Sequence, residues 1–174
     1  MSYHILKYKD YEPKMDESSF IADGVRIIGN VEIGRNASIW FNCVIRGDVG
    51  SIKIGDETNI QDGTVIHVDR NPGGDTIIGS MVTVGHFCVL HACTIHDKAF
   101  IGMGSVIMDH AIVESEAMVA AGSLVTHGKV IKSGEVWAGR PAQFFKKISD
   151  EEIKHITQSA QNYIMLMKEY KAIC

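Results

Sequence analysis

At 174 residues, 45% hydrophobic and 22% charged, the chain is long and apolar enough to bury a substantial core as one domain, which excludes a disordered protein. A formal net charge of −4 and an isoelectric point near 6.0, with Lys and Arg scattered, offer no basic surface to a phosphate backbone, so nucleic acid is not an expected partner. No apolar run approaches the roughly 18–20 residues of a membrane span, and Met1-Ser2-Tyr3-His4-Ile5-Leu6-Lys7 carries no signal-peptide pattern; a cytoplasmic protein without a membrane partner is expected.

Residues 1–20 read as an extended arm or short strand leading in. From Ile21 an internal repeat takes over. Aliphatic residues recur every six positions at Ile21, Ile27, Ile33, Ile39 and Ile45, and small or branched Val25, Val31, Ala37, Cys43 and Val49 stand four places after each. A three-residue slip restarts the count at Ile54, Ile60 and Ile66. A loop at 68–75 interrupts it, and Ile78, Val84 and Leu90 resume in phase. One residue is then dropped before the longest run, Ile95, Ile101, Ile107, Val113, Val119, Val125, Ile131 and Trp137.

A period of six suits neither 3.6 nor 3.5 residues per turn, whereas three short strands of about six residues make one triangular coil of a β-solenoid. Each aliphatic residue then points into the prism, stacked on its equivalent about 18 residues later. Glycines that follow the aliphatic residue, as in Val84-Gly85 and Ile101-Gly102, serve corners where a positive φ or close backbone approach is needed. Cys43 and Cys88 fall at inward positions and read as small buried thiols; Cys88 and Cys93 lack the CxxC spacing of a structural zinc site.

After Trp137-Ala138-Gly139-Arg140-Pro141-Ala142 the hexads stop, which reads as the end of the solenoid. Ser149-Asp150-Glu151-Glu152 has the form of a capping box, and Ile153, Ile156, Ala160, Tyr163, Met167 and Tyr170 follow at helical spacing. The expected division is a β-helix with its arm over 1–148 and a helix over 149–174. The apolar stripe of that helix should pack on the β-helix of its own or a neighbouring chain and also cover an exposed sheet edge.

The chemistry concentrates in His67, His86 and His91. Three neutral imidazoles suit one zinc ion that keeps its fourth position open, and iron(II) or cobalt(II) fits the same set. His67 and His91 each follow the inward residue of a hexad, Ile66 and Leu90, so they share a phase and project outward. If the 68–75 loop is a one-hexad excursion, they stack on adjacent coils. His86 stands two places after Val84, in a different phase, so one chain does not readily close the site. A site shared across a subunit interface, repeated three times in a three-fold oligomer, resolves this. His4, His96, His110, His127 and His155 have no convergent partners in the repeat frame and read as surface or structural residues.

The repeat resembles the left-handed parallel β-helix of the hexapeptide-repeat proteins; the hand comes from the resemblance, since the usual crossover rule favours the right. Within that group Arg46-Gly47-Asp48, Asn59-Ile60-Gln61-Asp62, His67 and Gly85-His86-Phe87-Cys88-Val89-Leu90-His91 together resemble the γ-class carbonic anhydrases. The resemblance implies a mainly β fold with a C-terminal α-helix, and a homotrimer in which His67 and His91 of one chain and His86 of its neighbour bind zinc. It also implies a lyase-type reaction, the reversible hydration of carbon dioxide to bicarbonate by metal-bound hydroxide. On that reading Gln61 orients the bound water or bicarbonate and Asn59 supports it. Arg46, Asp48 and Asp62 belong to the site or to a trimer salt bridge, Arg46 reaching Asp62 of the neighbour. Tyr163 either approaches the metal or packs as part of its stripe.

One departure stands out. Some members place a proton-passing glutamate between the first two histidines, whereas residues 68–85 hold Asp69 and Asp75 but no Glu. Activity could then be slow, dependent on the redox state of a nearby thiol such as Cys93, or absent. Two further readings stay open: an acyltransferase binding acyl-CoA between subunits with one histidine as general base, and an inactive metal-binding trimeric scaffold.

Overall fold

The computed structural model describes residues 2–173; Met1 and Cys174, the fourth cysteine, lie outside the described residues. The chain winds as a parallel β-helix with three faces and ends in one helix, Asp150–Ile173. Each hexad supplies one short strand, and the inward aliphatic residues stack in three columns. Ile27, Ile45, Ile66, Leu90, Ile107 and Val125 form the first. Ile33, Ile54, Ile78, Ile95, Val113 and Ile131 form the second. Ile21, Ile39, Ile60, Val84, Ile101, Val119 and Trp137 form the third. All but a few are fully buried, so the core is a stack of like side chains whose hydrophobic contacts hold each coil on the next. The excursion at 68–75 lengthens one coil by a hexad, and His91 accordingly pairs with His67, as expected.

The arm is part of the solenoid: His4–Leu6 and Lys14–Met15 pair in parallel with the two halves of the bent strand Arg26–Ile33. Val49 is only half-buried, because the strand Val44–Ile54 turns the corner there and its register shifts.

Glycine use differs from the simple expectation. Many corners are turned by non-glycine residues at positive φ, among them Asn36, Asn42, Met81 and Phe87. Gly85 serves close approach instead: a Cβ there would sit 2.6 Å from the Met103 backbone nitrogen of the next coil.

The parallel coils end at Glu135–Gly139, as expected, and the chain adds one further strand there: Ala142–Lys147 folds back antiparallel on Glu135–Gly139 and closes the third face as a hairpin. The helix starts as expected, with Ser149 Oγ accepting from the Glu152 backbone N–H at 3.3 Å and Glu152 Oε2 accepting from the Ser149 N–H at 2.9 Å. It covers a face more than the edge it was expected to cover, packing on strands Ser38–Ile39 and Thr83–Val84 inside the third face. Ile156, Ala160 and Met167 are buried there. Tyr163 and Tyr170 stand edge-on to Trp40 at 5.4 and 5.2 Å between ring centroids. Only its last turns reach the edge strand, through Tyr170 on Phe20 and Lys171 on the Ser18 carbonyl.

Candidate metal centre

His67 and His91 end neighbouring strands of the first face, Val65–His67 and Val89–His91. Each lies one residue past a buried aliphatic, so alternation along the strand turns it outward. Their rings converge: His67 Nδ1 lies 3.1 Å from His91 Nε2. The remaining nitrogens are held by carboxylates, His67 Nε2 by Asp48 Oδ1 at 2.9 Å and His91 Nδ1 by Asp109 Oδ1. A neutral imidazole has one N–H; donating it to a carboxylate leaves a lone pair on the nitrogen that faces the other ring. Two lone pairs at that distance repel unless a proton or a cation lies between them. Two nitrogens each 2.0–2.1 Å from a tetrahedral zinc ion stand about 3.3–3.4 Å apart, so the pair fits a shared ion with little movement.

His86 stands at the corner after Thr83–Val84, where its Nδ1 bonds Asp62 Oδ2 at 2.8 Å. It does not join the pair: among the described residues, no three His, Cys, Asp or Glu side chains of one chain gather where they could hold a metal. The three histidines therefore share one feature, a carboxylate on the outer nitrogen, although the sequence separations are 19, 24 and 18 residues.

Burial works to raise the Asp48 carboxyl, but hydrogen bonds from His67 and Arg46 outweigh it and hold the group below the usual carboxylate range. Within the chain the Arg46 guanidinium pairs with Asp48 and not with Asp62, whose partner is His86. Gln61 and Asn59 are buried and linked: Gln61 Nε2 donates to Asn59 Oδ1 at 3.0 Å, and Asn59 Nδ2 donates to Thr83 Oγ1 at 3.0 Å. Thr83 continues the chain to Ser159 of the helix at 3.2 Å. Tyr163 packs on Trp40 and also stands near Asp62; burial and then the Asp62 charge push its phenol up.

Cys93 is buried, and burial pushes its thiol up to about 12, so it holds little thiolate near neutral pH and reads as an inert core residue. Cys43 and Cys88 are buried as expected. His110 and His127 pair with each other, ring centroids 5.1 Å apart, and His155 lies against Phe100. The residue that sequence reasoning missed is Asp109. Its signal was available in the stacking, since Ile107 sits directly over Leu90 and places the corner after Ile107 above His91.

Residues 12–47 and 92–127 match the family of bacterial transferase hexapeptide (six repeats). The γ carbonic anhydrase 2, mitochondrial, of Arabidopsis thaliana is 52% identical over 166 residues, which cover 93% of this chain and 60% of that protein. The chain thus spans less than two thirds of this plant relative. A carbonic anhydrase of Geobacillus kaustophilus is 41% identical over 97% of this chain and 92% of its own length. The crystal structure of a hexapeptide transferase family protein from Anaplasma phagocytophilum superposes with a TM-score of 0.92 at 53% identity, covering 95% of this chain and 97% of that one. With two histidines on stacked coils, a third in another phase and relatives of this identity and coverage, the chain belongs to the γ-class carbonic anhydrase-like branch of the hexapeptide-repeat proteins.

Proposed function

We propose that the chain catalyses the reversible hydration of carbon dioxide as a homotrimer, with zinc held by His67 and His91 of one copy and His86 of the next. The observation that carries this is the converging His67–His91 pair, two ligands of an incomplete set, with the third candidate turned away on another corner of the same chain. A carboxylate behind each imidazole supports it, because metal-binding histidines commonly donate their outer N–H in this way. So does the surface beside them. Val65 and Val89 point outward from the strands of the two ligands, and Phe87, next to His86, is 73% exposed. An apolar band of this kind next to an unfinished site is what a second copy would cover, and cyclic symmetry makes three equivalent sites.

Zinc bound by imidazoles supplies a water whose pKa falls from about 15.7 to roughly 7, and iron(II) or cobalt(II) could serve in its place. The protein's own part is positioning. Gln61, fixed by Asn59, presents an amide that can both donate and accept, which suits orienting a water or a bicarbonate oxygen. The apolar band offers carbon dioxide a site where water competes poorly. On this reading Arg46 reaches Asp62 of the neighbouring copy and holds the register, and Tyr163 approaches the site from the helix. The proposed site of action is the cytoplasm.

The test is stopped-flow carbon dioxide hydration on zinc-loaded and iron-loaded protein, beside metal analysis. About one metal ion per chain and a metal-dependent rate support the reading. Metal without a rate leaves the scaffold, and saturable acetyl-CoA binding without metal favours the acyltransferase that the likeness to a hexapeptide transferase family protein suggests.

A further inference from the structure

We infer that Asp109 is a positioning residue for His91: it takes the Nδ1–H and thereby makes Nε2 the nitrogen offered to the ion. The assignment of Nε2 stands on the metal-free geometry alone, while its consequence for metal binding rests on the function proposed above.

A neutral histidine side chain in water carries its proton mainly on Nε2. The two stacked histidines stand differently to that preference. Asp48 bonds Nε2 of His67 and so supports the tautomer that this ring adopts unaided. Asp109 bonds Nδ1 of His91, and a carboxylate there must reverse the ordinary tautomer. His91 is therefore the ring whose ligating nitrogen depends on its partner. The side chains of His91 and Asp109 are 36% and 31% exposed, so water would compete for the ring if the carboxylate were absent.

The coil stacking puts Asp109 there. The His110 N–H donates to the Ala92 carbonyl at 2.7 Å, and the Gly128 N–H donates to the Asp109 carbonyl at 2.9 Å, so this corner is tied to the coil on either side. The carboxylate is thus set by the same register that places Ile107 over Leu90. A positioning role of this kind is worth about 10- to 100-fold in metal affinity.

The experiment uses the full chain and the variants Asp109→Ala and Asp109→Asn. The tautomer of His91 is read on metal-free protein by long-range proton–nitrogen correlation. Zinc affinity is read by chelator competition. The expected result is an Nδ1–H tautomer in the parent chain and in Asp109→Asn, whose amide oxygen still accepts. Asp109→Ala should shift His91 toward Nε2–H and bind zinc about 10- to 100-fold more weakly, with the metal-free melting temperature lowered by no more than about 2–4 °C. An Nε2–H tautomer in the parent chain, or an Asp109→Ala variant with unchanged tautomer and affinity, overturns the inference. A parent chain that binds no zinc overturns the metal reading and leaves the tautomer result to decide the role of Asp109.

Discussion

Leu90 and His91 are consecutive residues on one strand, and alternation assigns them opposite tasks. Leu90 is fully buried and stacked between Ile66 and Ile107, where coils on both sides limit collapse around a cavity. Leu90→Ala should cost about 2–5 kcal/mol. For a domain of this size each kcal/mol lowers the melting temperature by roughly 2–4 °C, so a fall of about 4–20 °C is expected. The His91 ring stands at a water-accessible surface, bonded to Asp109 and facing the His67 ring, outside the aliphatic columns. His91→Ala should cost at most about 1 kcal/mol in the metal-free protein while abolishing zinc binding. Circular-dichroism melting of metal-free protein, with metal content measured separately, separates the two. A His91→Ala variant that melts as far below the parent chain as Leu90→Ala does would refute the assignment of outward and inward faces.

Val89→Glu places a charge on the outward apolar band and should convert the proposed trimer to monomers in sedimentation velocity; a trimer that persists in the variant moves the proposed interface to another face. Gln61→Leu should keep zinc but lower the rate of carbon dioxide hydration by about 100-fold, and an unchanged rate removes Gln61 from the site. Cys43 and Cys93, their thiols pushed up to about 12 by burial, and Cys88, pushed up to about 11, should resist thiol reagents at pH 8 until the protein is unfolded. Labelling of Cys93 in the folded protein, followed by mass spectrometry, would restore a redox role. Ser149→Ala removes one half of the capping box and should destabilise the helix by about 0.5–2 kcal/mol, read as a lower melting temperature; a variant as stable as the parent chain denies the cap any energetic weight.

The columns of the prism were legible because one inward aliphatic residue per hexad is a burial requirement written at fixed spacing. The stacking of His91 on His67 followed from that phase and from treating 68–75 as an inserted hexad. The hairpin Ala142–Lys147 was not legible, since its strand faces solvent, with Phe144 and Phe145 exposed, and carries no hexad. Corner chemistry was only half legible. Asn tolerates a positive φ for a local reason, but Phe87 and Met81 adopt it because the coils on either side impose the turn. Asp109 escaped notice because its partner lies 18 residues away, a distance that becomes a contact only after the coil length of each neighbouring turn is known. That His86 stands apart from the stacked pair within one chain was readable as a conflict of phase.

The shared site is tested most directly by mixing His86→Ala and His91→Ala chains, each of which should assemble without binding zinc. When the two are unfolded together and reassembled in equal amounts, an interface is complete only where the first variant supplies His67 and His91 and the second supplies His86. Random assembly of a cyclic trimer makes about one quarter of interfaces complete, so the mixture should recover about a quarter of the zinc bound by the parent chain, with activity in proportion. Mixed trimers that bind no zinc, or a single variant that binds it alone, would contradict a metal centre divided between subunits.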